Sequence, residues 1–425
     1  MNALGRRTFL QGAAAAAAAG LLPLALPQAR SAGRQAAGPA RNLVVVLNSG
    51  GWDTTYVFDP KPGVAGIDAP AGEIGAYGAL QIFVPPGAPN VDAFFKAYGA
   101  QAAVINGVQI SSFIHPDCVK RVLTGAPTTS KPDIGAIVAS ELGRDLPVPY
   151  LVLGSSAISG PLGPITGRAG TTNQLAGLLS PGAAQFGYGA PVPPALTPSA
   201  AEDALVKSYL AASAERFRAA RGAGAFNGAR VDDYLSSEER GDLLRSYAAQ
   251  GTNFGTVGYT PDTRVQVELT VNALARKLSR AVLIETMNWD THTGNERQAT
   301  LHNDLFATLT DLGDKLAAAN LLSSTTVLVL SEMGRTPKLN GSAGKDHWPV
   351  TSALAFGAGV AGGRVYGGSD DLLGARSVDL KTGAPSATGK QLQAANLLAG
   401  VLSIVGVDPA TSFPGVEPFH ALAAV

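Results

Sequence analysis

The chain reads as an α/β protein with a mostly parallel central sheet and helices on both faces, and three observations predict it. Short apolar runs rich in β-branched residues recur at 42–47, 281–286 and 325–330, the length of buried strands rather than helices. Segments of helical period stand before or between them, at 91–100, 265–278 and 296–319. Acidic and imidazole side chains follow the strand runs at once, where open α/β sheets bind ligands.

Taken in order, residues 1–37 form a targeting segment. Arg6, Arg7, Thr8, Phe9 and Leu10 precede an Ala-rich stretch broken by prolines, the pattern of a twin-arginine export signal cleaved somewhere within 28–37. The stretch 10–26 is too weakly apolar for a stable membrane span. The expected partner in export is the twin-arginine translocase, and the expected location is periplasmic or secreted. The mature part, 42–425, is expected to be one α/β domain. Its first strand, 42–47, runs into Asn48, Ser49, Gly50, Gly51, Trp52, Asp53 and Thr54, the two glycines permitting a sharp turn at the strand's carboxyl end. A short strand at 102–106 leads to a loop and helix start at His115, Pro116 and Asp117. Residues 147–153 are a further strand, and 154–199, rich in Gly, Pro, Ser and Ala, an irregular cover. A helical insertion is expected over 200–260, with Ser236 and Ser237 before Glu238 and Glu239 fitting a helix start inside it. Residues 352–356 are a late strand, 357–368 is glycine-rich, and 391–404 closes the chain as a helix.

Composition narrows the function. Thirty-two basic residues balance 32 acidic ones, so no electrostatic case exists for nucleic acid. Charged residues are only 15%, while 51 glycines and 28 prolines imply long ordered loops around a substantial core. Cys118 is the only cysteine, which excludes an intramolecular disulfide and a cysteine-based zinc cluster.

The chemistry gathers at the strand ends: Asp53, then His115 with Asp117, Asp290 with His292, Glu332, and Asp346 with His347. Three of the chain's five histidines lie there, each within two residues of an Asp. Mixed oxygen and nitrogen donors suit zinc or manganese, whereas calcium prefers oxygen alone. Asp53, Asp290, His292, Glu332, Asp346 and His347 are therefore the expected metal ligands, with calcium as the alternative ion. His302, inside a helix, is an ordinary helix residue, and His420 lies close to the C-terminus. Trp52, Trp289 and Trp348 each flank a cluster and either wall the pocket or pack.

The segments GGWDTTYVFDPKP, HPDCVKRVLTGAP, NWDTHTGN, SEMGRTP and KDHWP, in this order, resemble the bacterial family of domain of unknown function 1501. That family is similar in fold to the alkaline phosphatase and sulfatase superfamily. The resemblance implies an alkaline-phosphatase-like sheet, a metal-binding position after the first strand matched by Asp53 or Asn48, and Glu332 standing where the superfamily has an Asp-His pair. His347 or Asp346 would replace the missing ligand. At the superfamily's nucleophile position stands His115, with neither hydroxyl nor thiol, so formylglycine chemistry is not expected. The reading is an exported metal-dependent hydrolase of phosphate or sulfate esters of a small molecule or polymer. Metal-bound hydroxide or His115 would replace the usual nucleophile, and Arg335 or Lys345 would hold the oxyanion. The alternative is a binding or assembly protein that keeps the fold without hydrolysis.

Overall fold

Alternation of side chains along the first strand sets the layering. Leu43, Val45 and Leu47 enter one apolar cluster and Val44 and Val46 another, so the strand is buried on both faces, as a sheet between two helix layers requires. The computed structural model describes residues 41–169, 175, 199–221, 225–248 and 262–424. The export signal expected over 1–37, most of the cover at 154–199 and the end of the insertion at 249–261 lie outside the described residues.

The sheet has eight strands: β1 (Asn42–Asn48), β2 (Ala102–Gln109), β3 (Tyr150–Val152), β4 (Thr166–Arg168), β5 (Ala281–Thr286), β6 (Thr325–Ser331), β7 (Val350–Gly357) and β8 (Arg364–Gly367). Their spatial order is β8-β2-β7-β6-β1-β5-β3-β4. Every neighbouring pair is parallel except the two made by β7, which runs against both β2 and β6. β7 differs because no helix separates it from β6. The chain leaves β6, makes an excursion over residues 332–349 and returns beside it.

The helices are α1 (Pro89–Tyr98), α2 (His115–Thr124), α3 (Ile134–Leu142), α4 (Ala200–Arg221), α5 (Ala225–Ala248), α6 (Thr263–Ala275), α7 (Arg297–Ala318) and α8 (Ala394–Val405). Buried residues of α2, α3 and α8 belong to the cluster of Leu43, and those of α1, α6 and α7 to the cluster of Val44. The helices thus divide between the two faces. In α7 the buried leucines 305, 309, 312 and 316 recur at helical spacing and form its inner stripe. Phe306 beside them meets Phe94 of α1 with ring centroids 5.2 Å apart.

The insertion is the helix pair α4 and α5. Ser236 and Ser237 do not start a helix, because α5 passes straight through them; the acidic pair behind them resembles a first turn only in sequence. Three elements lie outside the expectations. α3 is apolar nearly all round, so it has no amphipathic period, and β4 and β8 are short strands at the sheet's two edges inside glycine-rich sequence. Among the described residues, no helix is long and apolar enough to cross a membrane.

One core group is unusual. His302 is fully buried on α7, stacked near Trp52 and Tyr56 and edge-on to Trp289. Its Nδ1 lies 2.8 Å from the Gln298 carbonyl, and Nε2 has no partner among the described residues. Burial pushes its pKa from 6.5 down to about 4, against the opposing pull of the Gln298 carbonyl and the Asp53 charge. The unfolded chain therefore binds a proton here at a higher pH than the folded one. Stability from the neutral ring is complete above pH 6.5 and drains away as the pH falls toward 4, by up to about 3 kcal/mol. Urea unfolding at pH 7 and pH 4.5 should show a markedly smaller loss for His302→Phe than for the wild type; parallel losses would refute the assignment.

Candidate metal centre

Three strands deliver the site to one level. Asn48 pairs with Thr286 of β5 on one side and with Ser331 of β6 on the other, so the turns after β1, β5 and β6 all begin together. Gly50 lets them touch: its φ is +125°, and a Cβ there would lie 2.4 Å from the Asp290 nitrogen. Its N–H donates to Glu332 Oε1 at 2.8 Å, joining the first turn to the third. Gly344 does the same for the excursion, since a Cβ there would sit 2.0 Å from the His292 carbonyl.

The fourth contributor is α2, whose first residue is His115. Pro116 in its first turn costs nothing, because that backbone N–H has no helical partner anyway. The His115 ring lies 4.4 Å, centroid to centroid, from that of His347, and the His292 ring 4.6 Å from His347 on the other side.

The outer nitrogens of these rings are all engaged by oxygen. His115 Nδ1 lies 2.5 Å from Glu332 Oε1, His292 Nδ1 2.8 Å from Asp346 Oδ1, and His347 Nδ1 2.6 Å from the Phe113 carbonyl. A backbone carbonyl or an ionised carboxylate can only accept, so each Nδ1 carries the proton and each neutral ring is left with a lone pair on Nε2. Those lone pairs turn inward. His115 Nε2 is 3.5 Å from Asp290 Oδ2, while His292 Nε2 and His347 Nε2 are 3.2 and 3.4 Å from Asp290 Oδ1. The two Nε2 atoms of His292 and His347 face each other at 2.9 Å, although neither has a proton to give when both rings are neutral. A cation or a shared proton is what such a contact accommodates. Donor atoms of His115, Asp290 and His347 all lie within 4.8 Å of one another, a spread that one ion can gather.

Charges around the cluster follow its geometry. Burial raises the Asp290 carboxyl, but the Arg335 hydrogen bond and charge, with His292 and His115, outweigh it and hold the group below the usual carboxylate range. Burial keeps Glu332 above that range despite the His115 hydrogen bond. Hydrogen bonds from His292 and Asn340 hold Asp346 low. Burial, with the positive charge of neighbouring groups, pushes His347 down against the Phe113 carbonyl, favouring a neutral ring.

Of the expected residues, Asp290, His292, His347 and His115 converge. Glu332 and Asp346 stand one step back, on the Nδ1 side of two of the rings. Asp53 and Lys345 pair with each other instead, 2.7 Å apart and both fully buried, and the remaining contacts of Asp53 go to Thr55 and Asn295. Arg335 is also buried: its guanidinium donates to the Gly51, Lys345, Gly50 and Trp289 carbonyls and reaches Asp290 Oδ1 at 2.6 Å. Lys345 and Arg335 are therefore inside the wall rather than facing a ligand. Asp117 turns along its own helix to Arg121 at 2.8 Å. Trp52 and Trp289 pack in the core, and Trp348 donates to the Leu373 carbonyl. His302 is core, and His420 sits exposed in a short C-terminal turn. Sequence reading missed the Phe113 carbonyl and Asn340; a backbone acceptor leaves no residue signature, and Asn340 reads as a turn former.

The chain belongs to the family of proteins of unknown function DUF1501, whose model matches residues 40–417. No curated protein matches it. Among solved structures it is similar to a protein in the alkaline phosphatase superfamily from Vibrio parahaemolyticus (12% identity, 89% of this chain and 70% of that one, TM-score 0.40). It is also similar to the PsFucS1 sulfatase from Pseudoalteromonas sp. (13%, 91% and 72%, TM-score 0.39). A third is the C-terminal periplasmic domain of EcEptC from Escherichia coli (11%, 91% and 89%, TM-score 0.39). At these values no residue role passes from one chain to the other.

The hydrogen bonding makes a spectroscopic prediction. In protein labelled with nitrogen-15 histidine and stripped of metal, long-range correlation spectra above neutral pH should show His115, His292 and His347 as the Nδ1–H tautomer. Free histidine favours the other form, and finding it in any of the three would remove that ring from the inward-facing set.

Proposed function

We propose that this member of the DUF1501 family is an exported, metal-dependent hydrolase of phosphate or sulfate esters. What carries the reading is the set of imidazole lone pairs and the Asp290 carboxylate turned toward one another, each ring locked from behind by an oxygen. His115, Asp290 and His347 would hold a divalent cation, zinc or manganese by the mixture of nitrogen and oxygen donors, with His292 beside them. A cation bound there supplies Lewis acidity toward an ester oxygen and toward water.

The protein's own groups do the rest. Glu332, Asp346 and the Phe113 carbonyl fix the ring tautomers, so the inner nitrogens are available without a proton being removed first. Arg335 holds Asp290 ionised and oriented. His292, backed by Asp346, is the imidazole placed to take and return a proton. In this reading water is the attacking group, and the Ser112 hydroxyl serves as acceptor for the Ile114 N–H. The same reading takes 1–37 as a cleaved twin-arginine signal, and residues 42–425 as one domain working in the periplasm or outside the cell.

A second reading has one observation in its favour. Arg335 and Lys345, the cations expected to hold an oxyanion, are both fully buried. A binding or assembly protein that keeps the metal centre and does no hydrolysis fits that burial.

Protein purified without chelator should contain about one divalent ion per chain and turn over aryl phosphates or aryl sulfates. Asp290→Ala should lose both. Bound metal with no turnover across zinc, manganese and calcium favours the second reading, and absence of bound metal under all three removes the first. Glu332→Gln, which keeps the shape but weakens the acceptor behind His115, should loosen zinc by about 10- to 100-fold. Chelator competition measures it, and unchanged affinity would detach Glu332 from the centre.

A further inference from the structure

Lys345 and Asp53 form an ion pair with both side chains fully buried. The ammonium lies 2.7 Å from Asp53 Oδ2 in poor hydrogen-bond alignment, and no other acceptor reaches it among the described residues. A buried pair whose ammonium meets a single carboxylate is a weak source of stability, because removing both charges from water costs about as much as their attraction returns. Its value must then lie in what it positions. Two scaffolds carry the centre. His115 and Glu332 sit on α2 and the end of β6, whereas His292, Asp346 and His347 sit on two loops stitched to each other: Lys345 N–H donates to the Thr291 carbonyl at 3.0 Å and Asn295 N–H to the Ala343 carbonyl at 2.8 Å. Asp53, just beyond β1, grips both loops at once, taking Lys345 from one and the Asn295 amide from the other at 2.9 Å. Its second oxygen is fixed by the Thr55 N–H and hydroxyl at 3.0 and 2.7 Å.

We infer that Lys345 and Asp53 are a positioning pair that sets the distance between the His115–Glu332 half and the His292–Asp346–His347 half, and through it the affinity for a divalent cation. The inference rests on the metal-centre reading above. The test is zinc affinity by competition with a chromophoric chelator, together with the visible spectrum of the cobalt(II) form, for wild type and Asp53→Asn/Lys345→Met. The double variant removes both charges and keeps one oxygen at position 53 to accept from Thr55, at the cost of the Asn295 contact. The expected result is melting within about 3 °C of wild type, zinc bound at least tenfold more weakly, and a changed cobalt spectrum. Equal zinc affinity and an unchanged spectrum would overturn the inference while leaving the metal centre intact. Failure of the wild type to bind zinc or cobalt would instead remove the centre and this inference with it. Should the double variant not fold, Asp53→Asn alone is read in the same assay: zinc loosened at least fivefold supports the pair, and wild-type affinity refutes it.

Discussion

Three adjacent parallel strands stop at the same height, and the rest of the molecule follows from that register. Asn48 stands between Thr286 and Ser331. A shift of one residue in either pairing would turn every side chain of that strand to the opposite face and expel the core. Because Leu43, Val45 and Leu47 are committed to one helix layer and Val44 and Val46 to the other, no such shift is open. The apolar core thereby fixes to within an ångström or so where the polar turns begin. The price is glycine at Gly50 and Gly344, where neighbouring backbone leaves no room for a side chain.

What the register brings together is then made specific by a layer of acceptors outside the rings. An imidazole free to rotate or to change tautomer is an indifferent ligand. One whose Nδ1–H is held by carboxylate or carbonyl presents a single lone pair in a single direction. The three acceptors have different origins: Glu332 directly follows β6, Asp346 lies on the excursion before β7, and the Phe113 carbonyl precedes α2. The excursion exists because β7 returns antiparallel to β6 without a helix between them. The exception to the parallel sheet is what leaves chain free to carry Arg335, Lys345, Asp346 and His347.

The strands and helices that build this frame were legible because their patterns are strong: β-branched runs for β1, β5 and β6, and leucines at helical spacing for α7. α3 and β8 were not, one because an all-apolar helix has no period to detect, the other because four residues in glycine-rich sequence leave no pattern. At the site, residue type identified the neighbourhood but not the layer. A carboxylate after a strand reads as a ligand whether it faces the ion or the back of a histidine. Glu332 and His115 are 217 positions apart, and no local pattern links them. Arg335 and Lys345 are the opposite case: cations beside histidines suggest anion recognition, and the fold buries both against carboxylates, a placement no local pattern announces.

The balance of charge bears on the divalent ion proposed above. Among the described residues, Asp53, Asp290, Glu332 and Asp346 are met by two fixed cations, Arg335 and Lys345. Two negative charges are left in a partly buried cluster, where burial already holds the Glu332 carboxyl above its usual range. One proton shared between the inner nitrogens of His292 and His347, 2.9 Å apart, would neutralise one of those charges, and a second would set the two nitrogens against each other. A single doubly charged ion, as proposed, would satisfy both requirements, the missing charge and the facing lone pairs, without altering any outer contact.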